Sequence, residues 1–101
     1  TASAEIPKVI GLKLNEAKSR LWERGLNVGK ISFDEGINLL NQKDSRVYEQ
    51  SPEQGQSRGL GSSVSLRLTL DEKKVAECSE RSDRAAKRRQ LEKQQAAEEA
   101  L

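Results

Sequence analysis

Histidine is absent from this 101-residue sequence, and cysteine occurs only once, as Cys78. Without histidine, neither a Ser-His-Asp triad nor a Cys-His pair can be built. A zinc site would have to form from a single thiolate with no imidazole, which does not match the usual ligand sets. One cysteine also excludes a disulfide within the chain, so Cys78 is expected to be a spare thiol. We predict no metal and no cofactor.

Other patterns that carry catalysis are missing as well. No serine is followed by lysine three positions later, so a Ser-x-x-Lys nucleophile is absent. The sequence holds no Gly-x-x-x-x-Gly-Lys-Ser/Thr loop for phosphates. Adjacent carboxylates such as Asp34 and Glu35 lie in polar surroundings, where solvation is expected rather than acid–base catalysis. We predict that the chain is not an enzyme by itself.

Charge of one sign and long apolar runs are also lacking. The net charge is +2, with ten basic against eight acidic residues in 1–70 and eight against eight in 71–101. No basic patch for phosphates stands out, so nucleic-acid binding is not expected. No apolar run approaches the ~20 residues of a membrane-spanning helix. Because the sequence begins with threonine, we expect a processed or excised fragment whose targeting segment was removed.

One helix is predicted over residues 14–24. Leu14, Ala17 and Leu21 recur at the spacing of a single helical stripe. Asn15 can cap the N-terminus through its side-chain oxygen. Gly25 stands where a helix commonly ends in a left-handed residue.

The clearest strand is predicted over residues 64–70, where four apolar residues alternate with polar ones and define one buried face: Val64, Leu66, Leu68 and Leu70. Further strands are expected over residues 6–11, over 27–33 with a bulge at Gly29, and over 46–51, ended by Pro52. Residues 34–44 are expected to form a loop or a single helical turn that tucks Leu39 and Leu40 onto the core.

The segment 72–101 differs from the rest of the chain. It is rich in charge and alanine and contains no glycine, proline or aromatic residue, which favours helix over coil. We expect a helix that begins between Asp71 and Lys74 and frays towards its end. Its large apolar residues form no heptad seam, so we expect a charged helical or partly disordered tail that does not dock firmly on the domain.

Three strings in order resemble the PASTA domain, the module associated with penicillin-binding proteins and envelope Ser/Thr kinases. They are IPKVIG at residues 6–11, QSPEQG at 50–55 and GSSVSLRL at 61–68, with the helix ending at Gly25-Leu26 between the first two. The resemblance implies an α+β fold: one helix packed on a three-stranded antiparallel sheet with a short N-terminal strand. We therefore expect a leading arm at 1–5, the domain at 6–71 and the tail at 72–101.

Two positions depart from the family pattern. Lys13 stands where members usually carry a serine or threonine helix cap, and Asn15 is expected to take over that role. Arg58 replaces an apolar residue that usually follows the turn glycine, and Leu60 is expected to fill the resulting space.

The resemblance also implies a function and a location. It implies a non-catalytic, extracytoplasmic module, in the periplasm or on the outer face of the inner membrane. We expect the last domain of a bacterial envelope protein whose anchor lies in a missing N-terminal part. Ligands implied are peptidoglycan fragments (muropeptides) or β-lactam-like compounds. The alternative is a protein–protein interaction or structural adaptor domain, with a neighbouring envelope protein as partner and no small-molecule ligand.

A candidate ligand face follows from strand alternation. If Val47 points inward, then Arg46, Tyr48 and Gln50 point outward together. Arg67 lies on the outer face of the last strand by the same rule. An aromatic ring beside guanidinium and amide groups suits a sugar or an acidic peptide stem. The other interpretation of these residues is an ordinary solvent-exposed face.

Trp22 is the last candidate. It follows Leu21 and so lies at the edge of the apolar helical stripe. We expect it either to cover the small core or to remain exposed, as an anchor for a ligand or a neighbouring domain.

Overall fold

Five strands and two helices make up the chain in this computed structural model, which describes residues 2–100. In chain order they are β1 (Ser3–Glu5), α1 (Leu14–Glu23), β2 (Asn27–Phe33), β3 (Arg46–Ser51), β4 (Ser57–Gly59), β5 (Ser63–Thr69) and α2 (Glu72–Glu99). A short 3-10 turn, Gln42–Asp44, precedes β3. The α+β class is therefore confirmed.

The main sheet is mixed rather than antiparallel, which corrects the predicted arrangement. Its strand order is β2-β5-β3, with β5 parallel to β2 and antiparallel to β3. Parallel neighbours need a long connection, and here the whole segment between Phe33 and Ser63 provides it. The register of β2 shifts between Val28 and Ile31, as expected for a bulge at Gly29. A second shift, between Val47 and Glu49, was not predicted.

The core lies between α1 and one face of this sheet. Nine residues form it: Ile6, Val9, Ala17, Leu21, Leu26, Val47, Val64, Leu66 and Leu68. Both predicted periodicities are confirmed, because α1 contributes its stripe and β5 contributes alternate residues. Leu70 falls beyond β5 and is partly exposed, so the buried face ends one repeat earlier than predicted.

The predicted first strand is wrong in its position. Residues 6–11 form no strand, whereas β1 lies just before them and pairs with β4. Ile6 and Val9 are nevertheless buried. The backbone of Ile6 exchanges hydrogen bonds with Gln56 at 2.7 Å and Gly55 at 2.9 Å. The apolar character of this string therefore reflects core packing of an irregular segment.

Helix α1 begins and ends much as its sequence predicts, except for its cap. Lys13 is the N-cap residue, and Glu16 Oε1 accepts a hydrogen bond from its backbone N at 3.4 Å. Asn15 lies inside the first turn, so it does not take over the cap. At the other end Gly25 has φ of 76°, and Leu26 N donates to Leu21 O at 2.9 Å, which closes the helix in a Schellman motif.

The apolar residues of two loops do not reach the core, contrary to expectation. Leu39 is 92% exposed and Leu40 is 85% exposed, because the asparagine side chains of their loop hydrogen-bond the local backbone and hold it in its own turn. Leu60 is also more than half exposed, so it does not fill the space left by Arg58.

Helix α2 begins within the predicted window, capped by Asp71, whose Oδ1 accepts from the backbone N of Lys73 and Lys74. Unlike the expected loose tail, it lies against the sheet. Its contacting side is a stripe of small residues at alternating spacings of three and four: Val75, Cys78, Ser82 and Ala85. Small side chains allow the helix to come close to β3 without a seam of large apolar residues.

Candidate functional site

The sheet has an outer face, opposite the core, and part of it is open to solvent. Alternation along β5 places Ser65 and Arg67 there, since their neighbours Val64, Leu66 and Leu68 are buried. We define the outer face by five side chains that line one shallow pocket of about 260 Å³: Lys30, Ser32, Glu49, Ser65 and Arg67. It presents two cations, one carboxylate and two hydroxyls in close proximity.

The charges on the outer face are weakly paired. Arg67 Nη1 lies 3.7 Å from Glu49 Oε2, and both side chains are more than half exposed. An ion pair this exposed contributes little, about 0–1 kcal/mol. Loss of the pairing between Glu49 and Arg67 therefore costs little when the guanidinium turns to another anion.

Tyr48 is predicted to belong to this face but is 8% exposed, because α2 covers it. Its hydroxyl donates to Asp34 Oδ1 at 3.0 Å. Lys74 Nζ lies 4.2 Å from the ring centroid and 2.9 Å from Asp34 Oδ2. The tyrosine ring therefore packs beneath a lysine and serves the docking of α2.

The contacts among Asp34, Tyr48 and Lys74 also shift the pKa values of Asp34 and Lys74. The hydrogen bond from Lys74 is the main cause that lowers the pKa of Asp34, with further hydrogen bonds from Thr69 and Tyr48. The same bond raises the pKa of Lys74. Both groups are held in their charged forms, which is the state in which they pair.

Gln50 is likewise predicted to face outward, and the structure buries it at 3% exposure. Its Oε1 accepts from Val9 N at 2.8 Å, and its Nε2 donates to Pro7 O at 2.9 Å. The unpredicted register shift at Tyr48 reverses the alternation, so that Glu49 faces outward and Gln50 inward. Gln50 is therefore a structural residue that fixes residues 6–11.

The two remaining candidates lie away from the outer face. Arg46 is exposed at the start of β3, where its Nη1 donates to Gly11 O at 3.0 Å. Trp22 is 58% exposed on α1, in the layer on the opposite side of the sheet. It does not cover the core, which leaves the exposed alternative. Of the five predicted residues, Arg67 belongs to the outer face as defined, and the buried Gln50 borders the same pocket.

Sequence reasoning missed Lys30, Ser32 and Glu49. The signal for the first two was present, since both fall on the outer side of β2 once the bulge at Gly29 is counted. The outward position of Glu49 could not be predicted, because no residue of β3 indicates the register shift at Tyr48.

Helix α2 forms a wall beside the outer face. A cleft of about 380 Å³ runs along the line where α2 meets β3, with Tyr48, Glu53, Cys78 and Arg81 among its lining residues. Two ion pairs attach α2 to the domain further along the helix. Lys8 Nζ lies 2.9 Å from Asp83 Oδ1, and Arg89 Nη1 lies 3.0 Å from Glu53 Oε2.

Hydrogen bonds from Gln54 and from Lys8 lower the pKa of the Asp83 carboxyl.

Over residues 2–100, no helix is both long and apolar enough to cross a membrane. In the same part of the chain, no three side chains of the His, Cys, Asp or Glu type gather as a metal site would need.

Comparison with protein families gives a match that spans more than half of the chain. The sequence model of the PASTA domain matches residues 4–69. No curated protein and no solved structure gives a significant match. The family match ends with β5, so α2 lies beyond it, and the wall that α2 forms is a feature of this chain rather than of the matched region.

Proposed function

Because the chain belongs to the PASTA domain family, we propose that it is an extracytoplasmic binding module of a bacterial envelope protein that recognises peptidoglycan fragments. PASTA domains are non-catalytic binding modules. Muropeptides are the proposed ligand class, and β-lactam-like compounds, which also carry a carboxylate, form a second class to be compared with them.

The observation that carries the proposal is the open outer face with Arg67 at its centre. A muropeptide offers a peptide carboxylate and many sugar hydroxyls. Arg67 and Lys30 suit the carboxylate, because a guanidinium can donate two parallel hydrogen bonds to it. Ser32 and Ser65 suit the hydroxyls, since each serine can both donate and accept. When a ligand carboxylate binds Arg67, Glu49 loses its ion pair with Arg67. The two carboxylates then repel each other, which limits the affinity of the ligand.

The test is a titration of the isotope-labelled chain with a soluble muropeptide, followed through backbone amide shifts. We expect shifts clustered in β2 and β5, and a loss of affinity of about tenfold in Arg67→Gln, as a charge-assisted bond is removed. Arg46→Gln is the matched control, since it removes an exposed arginine from the same sheet but not from the outer face. Equal affinity in both variants would place the ligand elsewhere.

The adaptor function remains the second candidate, and the exposure of Trp22 favours it. Tryptophan is enriched among residues that dominate protein interfaces, and this one lies on a helix away from the outer face. Absence of any muropeptide shift, together with loss of a protein partner in Trp22→Ala, would support the adaptor over the ligand-binding module.

A further inference from the structure

Two neighbouring leucines project from the loop between β2 and β3. Leu39 is 92% exposed and Leu40 is 85% exposed, the highest values among the large apolar residues of the described chain. Single exposed leucines are ordinary on protein surfaces, but two consecutive leucines that are both almost fully exposed in one loop suggest a contact site, and we call this pair the patch. This pair is not part of the outer face and has no role in the proposed ligand binding.

The loop is held in one conformation by its asparagines. Asn38 Oδ1 accepts from Leu40 N at 2.8 Å, and Asn41 Oδ1 accepts from Asn38 N at 2.7 Å. Asn41 Nδ2 also donates to Gly36 O at 3.1 Å, where φ is 91°. These bonds fix the backbone of the loop, so little backbone freedom is lost when the two leucines become buried against another surface.

Two lysines lie beside the patch. Lys13 and Lys43 line the same cleft as Leu39, a space of about 400 Å³ between the loop and the start of α1. Both lysines are exposed, and the ion pairs found within residues 2–100 involve other residues. Glu16 also lines this cleft, where its Oε1 accepts from the backbone N of Lys13, so the lining carries two cations against one carboxylate. Two ammonium groups are thus free to meet an anion next to an exposed leucine.

We propose that this loop is a contact site for an anionic lipid bilayer. Leu39 and Leu40 enter the boundary between headgroups and acyl chains, while Lys13 and Lys43 bind lipid phosphates. Amphipathic helices that bind the membrane interface combine apolar side chains with lysines, and this loop with the start of α1 presents the same two kinds of side chain. A protein partner fits less well, because leucine is under-represented among residues that dominate protein interfaces, and the patch contains no aromatic residue or arginine.

The experiment is flotation of the full chain with vesicles made of equal parts phosphatidylglycerol and phosphatidylcholine. We expect the chain to float with these vesicles and to do so more weakly with phosphatidylcholine alone. The double variant Leu39→Ser, Leu40→Ser should bind at least about tenfold more weakly, because burial of two leucines is lost. Lys13→Gln, Lys43→Gln should lower binding to the anionic vesicles and leave binding to phosphatidylcholine unchanged.

Leu91→Ser is the matched control, since Leu91 is a half-exposed leucine on α2, far along the chain from the loop. It should float as the unaltered chain does, and thermal melting should show that every variant is folded. Failure of the unaltered chain to float overturns the proposal and leaves a protein as the occupant of the patch. Unchanged flotation of the double leucine variant also overturns it. Neither result bears on muropeptide binding, which is measured separately on the outer face.

Discussion

Removal of α2 tests whether the helix is part of the folded unit or a separable tail. Cutting the chain after Lys74 removes the buried Val75 and two ion pairs, Lys8–Asp83 and Arg89–Glu53. It also removes the hydrogen bond from Gln54 Nε2 to Ser82 Oγ at 2.9 Å. The shortened chain keeps all nine core residues, so any loss of stability reports the docking of α2.

The size of the loss follows from these contacts. Burial of a valine side chain contributes about 1.5 kcal/mol. Each exposed ion pair contributes about 0.2–1 kcal/mol, and the hydrogen bond contributes about 0.5–1.5 kcal/mol. After the ordering of long side chains is subtracted, we expect the free energy of unfolding to fall by about 2–3 kcal/mol. For a domain of this size, that corresponds to a drop in melting midpoint on the order of 10 °C.

The assay is thermal unfolding followed by circular dichroism at several denaturant concentrations. The matched control is a cut after residue 90, because residues 91–100 are exposed throughout, and this cut should leave the midpoint unchanged. If the chain cut after Lys74 melts at the midpoint of the full chain, the contacts of α2 do not stabilise the domain. The division at residue 71 that the sequence predicts would then hold energetically as well.

Three further predictions concern the core and its links. Leu66→Ala should lower the free energy of unfolding by about 2–5 kcal/mol, since Leu66 is 1% exposed; an unchanged denaturation midpoint would contradict its inward placement. Gln50→Leu should cost about 1–3 kcal/mol by leaving the backbone N of Val9 without its acceptor, and hydrogen exchange at Val9 should accelerate. The lowered pKa of Asp34 contributes stability that is present above the ordinary value of 3.8 and is lost as pH falls through the folded value. Acid titration of the melting midpoint should therefore be less steep in Asp34→Asn, and an equal slope would refute the pairing.

Local sequence patterns correctly predicted the helix and the strand that each bury one side, α1 and β5. The alternation in β5 identified Val64, Leu66 and Leu68 because a strand between two neighbours must put every second residue into the core. The stripe of α1 and its Gly25 ending were predictable for the same reason, since helix periodicity and C-terminal capping are both local.

What could not be predicted depends on distant parts of the chain. The parallel pairing of β2 with β5 is decided by the route of the intervening segment, residues 34–62, which leaves no local pattern. The irregularity at Tyr48 arises where the ring must pass beneath α2 to reach Asp34. A strict alternation therefore assigned Gln50 to the wrong face, and the cover that α2 places over Tyr48 has no local pattern either.

The sequence overestimated the burial of two leucines and underestimated the burial of one side of α2. Leu39 and Leu40 were expected in the core because they are apolar, yet the asparagines around them satisfy the loop backbone without any core contact. Helix α2 was expected to stay loose because its large apolar residues form no common seam. Its small residues at alternating spacings of three and four were a usable signal, provided that close approach is considered together with apolar area.

The triangle of Asp34, Tyr48 and Lys74 joins two segments that are 40 positions apart in sequence. Asp34 is the residue at which the loop carrying Leu39 begins, and Lys74 belongs to the first turn of α2. An event that breaks the contact between Asp34 and Lys74 weakens the docking of α2, and docking of α2 then opposes that event by the same factor. Occupancy of one segment can therefore be measured at the other, for instance through hydrogen exchange in α2 while a ligand is added to the loop.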